Sequence, residues 1–249
     1  MVNAKVLGLS GSPIENSNTD RLIKAIMDAT GAEQEFIKLS DIKVGPCTHC
    51  RKCAYTNKCV INDDFRWLSE KVLAADAIVI GSPTIYQAAS AYMKAFVERL
   101  YSLRHVHLLT KGKIAATAAI GWVNEDKVNE WERMVLYMAG MDVVGGVTAK
   151  GTPGCFVCGP GETCLYSIWN FFRKDVCGKD YGLEKIYKGY LEELPDNDPL
   201  THPSYKVTGY LEIEDQPGIM AEARRIGEAI KNKLAQRQRG AQRAETPQE

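Results

Sequence analysis

Residues 7–19 read Leu-Gly-Leu-Ser-Gly-Ser-Pro-Ile-Glu-Asn-Ser-Asn-Thr, and this stretch decides the fold. A short apolar strand ends at Leu9 and runs into a polar turn, after which a helix is predicted to begin at Asn18 or Thr19. A helix N-terminus offers backbone N–H groups and partial positive charge, so it binds phosphate without lysine or arginine. Further donors or contacts come from Ser10, Ser12, Pro13, Ser17, Asn18 and Thr19. We interpret the turn as the phosphate seat of flavin mononucleotide (FMN).

An ordinary helix cap is the simpler interpretation of the same turn. Serine, asparagine and threonine are the preferred N-cap residues, but one of them is enough for a cap. The turn lacks the G-K-[ST] ending of the Walker motif and the G-x-G-x-x-G of dinucleotide-binding folds. It therefore differs from both common phosphate-binding motifs.

Composition limits the class of protein. The chain has 249 residues, is 45% apolar and 25% charged, and has a formal net charge of zero. These values are typical of a globular protein and give no reason to expect a nucleic-acid partner. With no apolar run near ~20 residues and no signal-peptide pattern, we expect a cytoplasmic protein without membrane contact. Eight cysteines in that compartment favour metal or redox chemistry over disulfides.

Strand and helix patterns alternate along the first 150 residues. The predicted strands are Lys5–Leu9, Gln34–Leu39, Ala77–Ile80, Ile114–Ile120 and Asp142–Thr148. The predicted helices are 19–30, Phe65–Ala74, Ala91–Leu103, Glu125–Ala139 and Gly218–Leu234, with Asp63 or Asp64 capping the second. Alternation of this kind predicts an α/β fold with a doubly wound, five-stranded parallel sheet and helices on both faces. We expect the strand order 2-1-3-4-5, one of the two common orders of such sheets.

Composition changes mark the expected domain limits. Residues 1–149 form the predicted FMN-binding domain, including a cysteine-rich loop at 44–64 after the second strand. Residues 150–215 are rich in glycine, proline, cysteine and aromatics, and are too long for a plain loop, so we expect an insertion before the last helix. Residues 216–235 complete the fold, and the polar tail 236–249 is expected to be disordered.

Two later loops are predicted to face the same ligand. Ligands of open α/β sheets lie beyond the carboxyl ends of the strands, where the strand order reverses. The residues after the third strand would line the edge of the flavin ring: Pro83, Thr84, Ile85 and Tyr86. Gly121 and Trp122, after the fourth strand, would form a third wall, with Trp122 either covering the ring or only packing.

Taken together, these loops resemble those of flavodoxin-like NAD(P)H-dependent FMN reductases. The resemblance rests on the motifs at 8–19 and at 81–96, in that order and spacing, and extends over about residues 4–148. It implies FMN binding and a flavin-dependent oxidoreductase. The third loop departs from the family, which commonly has two adjacent glycines where this chain has Ile120-Gly121-Trp122.

Four cysteines lie close together in the loop after the second strand. Cys47, Cys50 and Cys53 are separated by two-residue gaps, and Cys59 follows five residues later. Thiolates so spaced can each reach a different iron of a cubane cluster, and Arg51 and Lys52 would offset their negative charge. The same four could bind zinc, or no metal at all.

Such a loop in an FMN domain is similar to that of the iron–sulfur flavoproteins of anaerobes. The resemblance implies a [4Fe-4S] cluster bound by Cys47, Cys50, Cys53 and Cys59, with FMN nearby. It also implies a homodimer or higher homo-oligomer. A second group of cysteines, Cys155, Cys158, Cys164 and Cys177, is compatible with another metal site but is expected to be buried or a thiol pair.

The expected function is conversion between two-electron and one-electron chemistry. Flavin accepts two electrons or passes them singly, whereas a cluster moves one at a time. We expect electrons from ferredoxin or NAD(P)H to reach a quinone, O₂ or a peroxide, with no side chain acting as general acid or base. A cluster-free NAD(P)H-dependent FMN or quinone reductase and a non-catalytic electron carrier are the alternatives.

Overall fold

A computed structural model describes residues 4–152 and 211–245, with side chains to residue 240. The described strands are β1 (Lys5–Ser10), β2 (Glu33–Lys38), β3 (Ala77–Ile85), β4 (Ala88–Ala89), β5 (Ile114–Gly121) and β6 (Asp142–Lys150). The described helices are α1 (Asn18–Asp28), α2 (Phe65–Ala74), α3 (Ala91–Leu100), α4 (Glu125–Met138) and α5 (Ile219–Glu245). Over these ranges, no helix is both long enough and apolar enough to cross a membrane.

The chain divides into two units. One consists of Met1–Gly151 with Glu212–Glu249, and the other is Thr152–Leu211. Most of the second unit, with the predicted insertion and its four cysteines, lies outside the described residues.

The sheet has the order β2-β1-β3-β5-β6, all parallel, and β4 pairs antiparallel with β3. When the five long strands are numbered without the two-residue β4, this order is the predicted 2-1-3-4-5, and the prediction is confirmed. Helices cover both faces of the sheet, which is why β5 is buried at all eight positions.

Two apolar cores lie on opposite faces. One packs α1 and α5 against the sheet through Leu22, Ile26 and Ile226. The other packs α2, α3 and α4 through residues such as Phe65, Phe96 and Leu136. Helices α1 and α5 approach closely at Gly227, where an added Cβ would lie 2.3 Å from the carbonyl oxygen of Ile26.

Two predicted boundaries differ most from the structure. The third strand continues past Ile80 to Ile85, because Pro83 still pairs with β5 opposite Ile120. The last helix does not end at Leu234 but continues through Glu245, so the predicted disordered tail is helical over its described part. Lys233 and Arg237 anchor this extension by forming ion pairs with Asp142.

The predicted cap of α2 is only partly correct. Asp64 makes no side-chain cap bond to α2, and its carboxylate instead accepts from the backbone N–H of Lys43 at 2.7 Å. Asp63 does accept from the N–H of Phe65 at 3.2 Å, but it has other partners, described below.

A carboxyl group is buried under α4. The Glu132 side chain is fully buried, and neither oxygen has a hydrogen-bond partner among the described residues. Burial raises the pKa of Glu132 well above its ordinary value. The folded protein therefore keeps a proton here in a pH range where the unfolded chain has lost it.

We predict that Glu132→Met stabilises the protein more at pH 8 than at pH 5. Because the folded state binds the extra proton above the ordinary glutamate pKa, the wild-type free energy of unfolding falls as pH rises through that window. Removing the buried carboxyl should increase this free energy by about 1–3 kcal/mol at pH 8, measured by urea denaturation. Glu130→Met, at an exposed position of α4, is the control. An equal gain at both pH values would contradict the prediction.

Candidate functional site

Three loops meet at the carboxyl edge of the sheet. In register, Ser10 of β1 lies opposite Gly81 of β3, and Pro83 of β3 lies opposite Ile120 of β5. The backbone N–H of Gly11 donates to the carbonyl of Gly81 at 2.8 Å. The structure thus brings together the three segments that the sequence predicted to share one site.

The loop after β1 is shaped by its own side chains. Ser17 caps α1: its hydroxyl accepts from the N–H of Asp20 at 3.2 Å, and its N–H donates to the Asp20 carboxylate at 3.2 Å. Ser10 donates its hydroxyl proton to Asp20 and accepts from the N–H of Ser12. The hydroxyls of Ser10 and Ser17 therefore orient the turn, and their contact with phosphate stays a prediction, as it does for Ser12, Pro13, Asn18 and Thr19.

A buried ion pair fastens this loop to β2. Asp20 is 1% exposed, and the Lys38 ammonium donates to its carboxylate at 2.7 Å and to the carbonyl of Ile14 at 2.7 Å. The pair neutralises the carboxylate that lies nearest the predicted phosphate seat. Sequence reasoning missed both residues; the Ser17-x-x-Asp20 capping box was a signal for Asp20, and no local pattern indicated Lys38.

The predicted loop after the third strand is a β-hairpin. Tyr86 and Gln87 both have positive φ (50° and 66°) and connect β3 to β4, as in the turns that suit twisted hairpins. Pro83, Thr84 and Ile85 are therefore strand residues, and Tyr86 is fully exposed at the tip.

Ser82 and Ser90 join this hairpin to the first loop. The N–H of Ser90 donates to the Ser82 hydroxyl at 2.8 Å, and the Ser90 hydroxyl donates to the carbonyl of Gly11 at 2.7 Å. Both serines are buried. Neither was predicted, although a serine directly before a helix is a recognisable cap signal, and Ser90 does accept from the N–H of Met93.

The end of β3 carries a buried hydroxyl that faces Gly121 of the third wall. Thr84 Oγ1 is buried and has no hydrogen-bond partner among the described residues. An added Cβ at Gly121 would lie 2.2 Å from this atom, so only glycine fits beside it. Asn124 donates to Gln87 at 2.9 Å and ties this wall to the hairpin. Buried polar atoms almost always have partners, so Thr84 fits a site that contacts a ligand. Stacking by the half-buried Trp122 remains a prediction.

The four motif cysteines line one small concavity. Burial and the charges of Cys59, Cys47 and Cys50 raise the pKa of Cys53. The backbone N–H of Lys52 lowers the pKa of Cys50. Among the described residues, no three Cys, His, Asp or Glu side chains converge on a position that suits a single metal ion.

Arg99 of α3 lies beneath this cysteine loop. Its side chain is 1% exposed and donates to Asp63 through both terminal nitrogens, at 2.7 and 2.9 Å, and to the carbonyl of Gly45 at 3.0 Å. Asp63 also accepts from the N–H of Gly45 at 3.0 Å. Burial opposes the charge of Arg99, but its hydrogen bonds to the Asp63 carboxylate and the charge of Cys59 raise its pKa. Sequence reasoning missed this pair, because Asp63 was assigned only as a helix cap.

An open groove of about 480 Å³ runs beside Cys47 and His49 between α3 and α4. Its floor and walls are mostly apolar and include Val97, Leu100, Val135 and Met138.

Comparison with known proteins gives one family match and several relatives. A family model described as NADPH-dependent FMN reductase matches residues 4–152, more than half of the chain. An iron–sulfur flavoprotein of Methanocaldococcus jannaschii is 36% identical over 120 residues, covering 47% of this chain and 62% of that protein. An iron–sulfur flavoprotein of Methanosarcina thermophila is 30% identical over 151 residues, covering 57% of this chain and 77% of that protein. The match thus spans less than two thirds of the first relative.

A solved structure shares the fold. The crystal structure of RosB with bound 8-demethyl-8-formylriboflavin-5'-phosphate has a TM-score of 0.51 at 17% identity, covering 85% of this chain and 100% of that one. The similarity at this identity is one of fold, and it agrees with the flavodoxin-like strand order described above.

We predict that Asp20→Asn lowers the free energy of unfolding by about 3 kcal/mol, because it removes one partner of a buried ion pair. The matched control is Glu35→Gln, which breaks the surface pair between Glu35 and Lys71, where both side chains are at least 36% exposed. That change should cost less than about 1 kcal/mol. Urea denaturation of the three proteins measures both values, and similar losses would contradict the prediction.

Proposed function

This chain belongs to the NADPH-dependent FMN reductase family, a family of flavin-dependent oxidoreductases, and we propose that it is an iron–sulfur flavoprotein that binds FMN and a [4Fe-4S] cluster. The proposal depends above all on one observation: a single loop of an FMN-reductase domain presents four cysteines to one concavity. The two relatives described above carry the name iron–sulfur flavoprotein.

The carboxyl edge of the sheet supports the FMN part of the proposal. The N-terminus of α1 carries the partial positive charge of the helix dipole, which favours a phosphate, next to the hydroxyls of Ser12 and Thr19. Thr84 and Gly121 would contact the edge of the flavin ring. The Thr84 hydroxyl has no described hydrogen-bond partner, and a side chain at position 121 would collide with it. When bound, FMN supplies hydride-level and single-electron chemistry, while the protein orients it.

The arrangement of thiols supports a cluster. A zinc ion needs its ligands about 2.3 Å from one centre, whereas each cysteine of a cubane cluster binds its own iron. Four thiols on the wall of one concavity supply one ligand for each iron of such a cluster. Bound there, the cluster would supply one-electron transfer.

We propose that electrons enter from ferredoxin or NAD(P)H and leave to a quinone, O₂ or a peroxide. Cys50 is exposed, so one ligand of the proposed cluster lies at the surface, where a one-electron partner can approach. No general acid or base is needed for such transfer.

Anaerobic purification with quantitation of iron, sulfide and flavin tests the function. We expect about four irons and four sulfides per chain, with one FMN, for the wild type. Cys53→Ala should lose the iron and sulfide and retain FMN, whereas Cys177→Ser, outside the motif, should leave the first cluster in place. A wild type with FMN but no iron would instead be a cluster-free NAD(P)H-dependent FMN or quinone reductase.

Gly11→Ala should weaken FMN binding and leave the iron and sulfide content unchanged. An added Cβ would lie 2.7 Å from Ser90 Oγ and 2.9 Å from Met93 Cβ, so the first loop must shift away from α3. We expect at least about tenfold weaker FMN binding, from ~1.4 kcal/mol of lost contacts, with iron unchanged. Gly240→Ala, which meets no atom within 4 Å, is the control. An unchanged FMN affinity would contradict the proposal that the loop after β1 binds the phosphate.

We also propose a homodimer formed through α3 and α4. Large apolar side chains are exposed there: Tyr92, Tyr101, Met134, Tyr137 and Met138, with Tyr137 76% exposed. Exposed apolar surface of this kind is typical of protein interfaces.

Sedimentation equilibrium should therefore show a dimer that Tyr137→Glu dissociates, with Kd raised at least about tenfold. Trp67→Glu on α2 is the control, because it adds the same charge at another exposed aromatic. A monomeric wild type, or equal effects of the two substitutions, would exclude this interface.

A further inference from the structure

The cysteine concavity contains one buried cation. Arg99 lines it together with all four thiols and is the largest fully buried side chain among the described residues. Arg51 and Lys52, which the sequence suggested as the compensating charges, are both exposed. A buried cation beside the thiols is less screened by water than these two surface charges.

Every nitrogen of Arg99 is used except one. The two terminal nitrogens bind Asp63 and Gly45, and the guanidinium carbon lies 4.7 Å from the centre of the Phe65 ring. Nε is buried and has no hydrogen-bond partner among the described residues. The thiol of Cys59 lies close to the same guanidinium. A buried N–H without a partner is costly, and the Cys59 thiol on the wall of the same concavity offers a sulfur acceptor.

The ion pair also joins both ends of the cysteine loop. Gly45 lies two residues before Cys47, and Asp63 lies four residues after Cys59. Arg99 bonds to both, and Asp63 accepts from the N–H of Gly45. One residue of α3 therefore determines where the loop begins and where it ends.

We propose that Arg99 is a positioning residue of the cluster site whose Nε–H donates to the sulfur of Cys59 and raises the reduction potential of the bound cluster. The inference rests on the proposed function, since it requires that these cysteines bind a cluster. Hydrogen bonds to the sulfurs and net charge near the cluster are established determinants of its potential. Because reduction adds negative charge, a donor to Cys59 stabilises the reduced form more than the oxidised form.

Two substitutions separate this role from simple support of the loop. Arg99→Lys keeps a positive charge beside Asp63 but has a methylene where arginine has Nε, so it removes the donor. We expect a lower potential, with the equilibrium between the two redox forms shifted about tenfold, or about 59 mV for one electron. Asp63→Asn keeps Nε–H and removes a negative charge, so we expect a higher potential. A residue that only supported the loop would change iron content and leave the potential unchanged.

The experiment is a spectroelectrochemical titration of the cluster in anaerobically purified full-length protein, with iron and sulfide measured for each variant. Arg133→Lys, the same change at an exposed position of α4 away from the cysteine loop, is the control and should leave the potential unchanged. Opposite shifts for Arg99→Lys and Asp63→Asn support the proposal. An unchanged potential, shifts of the same sign, or loss of iron from both variants would overturn it. A wild type without iron would overturn the proposed function as well. The iron content of the wild type alone separates this outcome from failure of the Arg99 proposal.

Discussion

The parallel pairing of β1 with β3 fixes where the loops of the candidate site begin. Ser10, the last residue of β1, lies opposite Gly81, so the loop after β1 starts beside the part of β3 that continues to Ile85. The N–H of Gly11 bonds to Gly81, and Ser90 bonds back to Gly11. Helices cover both faces of the sheet, so the carboxyl edge is where backbone N–H groups can meet a ligand. The loop after β5 closes the same edge from the other side.

Buried ion pairs place the loops on this framework. Lys38 with Asp20 fastens the loop after β1 to β2, and Arg99 with Asp63 fastens the cysteine loop to α3. A charge removed from water is tolerated only with a close partner, so each pair makes a loop's position depend on an element distant in the sequence. Glu132 is the contrasting case: a buried carboxyl without a described partner, kept protonated by its surroundings.

Local sequence patterns predicted a strand or helix correctly where the pattern results from burial of its apolar residues. The unbroken apolar runs around Val79 and Ala118 indicated buried parallel strands, and both are central in the sheet. The bounds of α2 agree with the prediction because its apolar positions recur at helical spacing over the whole segment. Strand β4 was missed, since two alanines have no strand signal and pair only because the turn at Tyr86 and Gln87 returns the chain. The length of α5 was missed because polar residues such as Lys233 and Arg237 are anchored by Asp142, more than ninety residues earlier.

Local sequence was enough to predict the alternating strands and helices, the polar turn before α1 and the spacing of Cys47, Cys50, Cys53 and Cys59, because each is expressed in residues close together in the chain. Which distant side chains complete those loops became clear from the tertiary structure. Lys38, Ser90 and Arg99 reach partners 18, 79 and 36 residues away. Such contacts follow from the packing of helices on the sheet, and no local spacing encodes them. These partners stabilise the fold because a buried charge or hydroxyl costs free energy unless another group pairs with it.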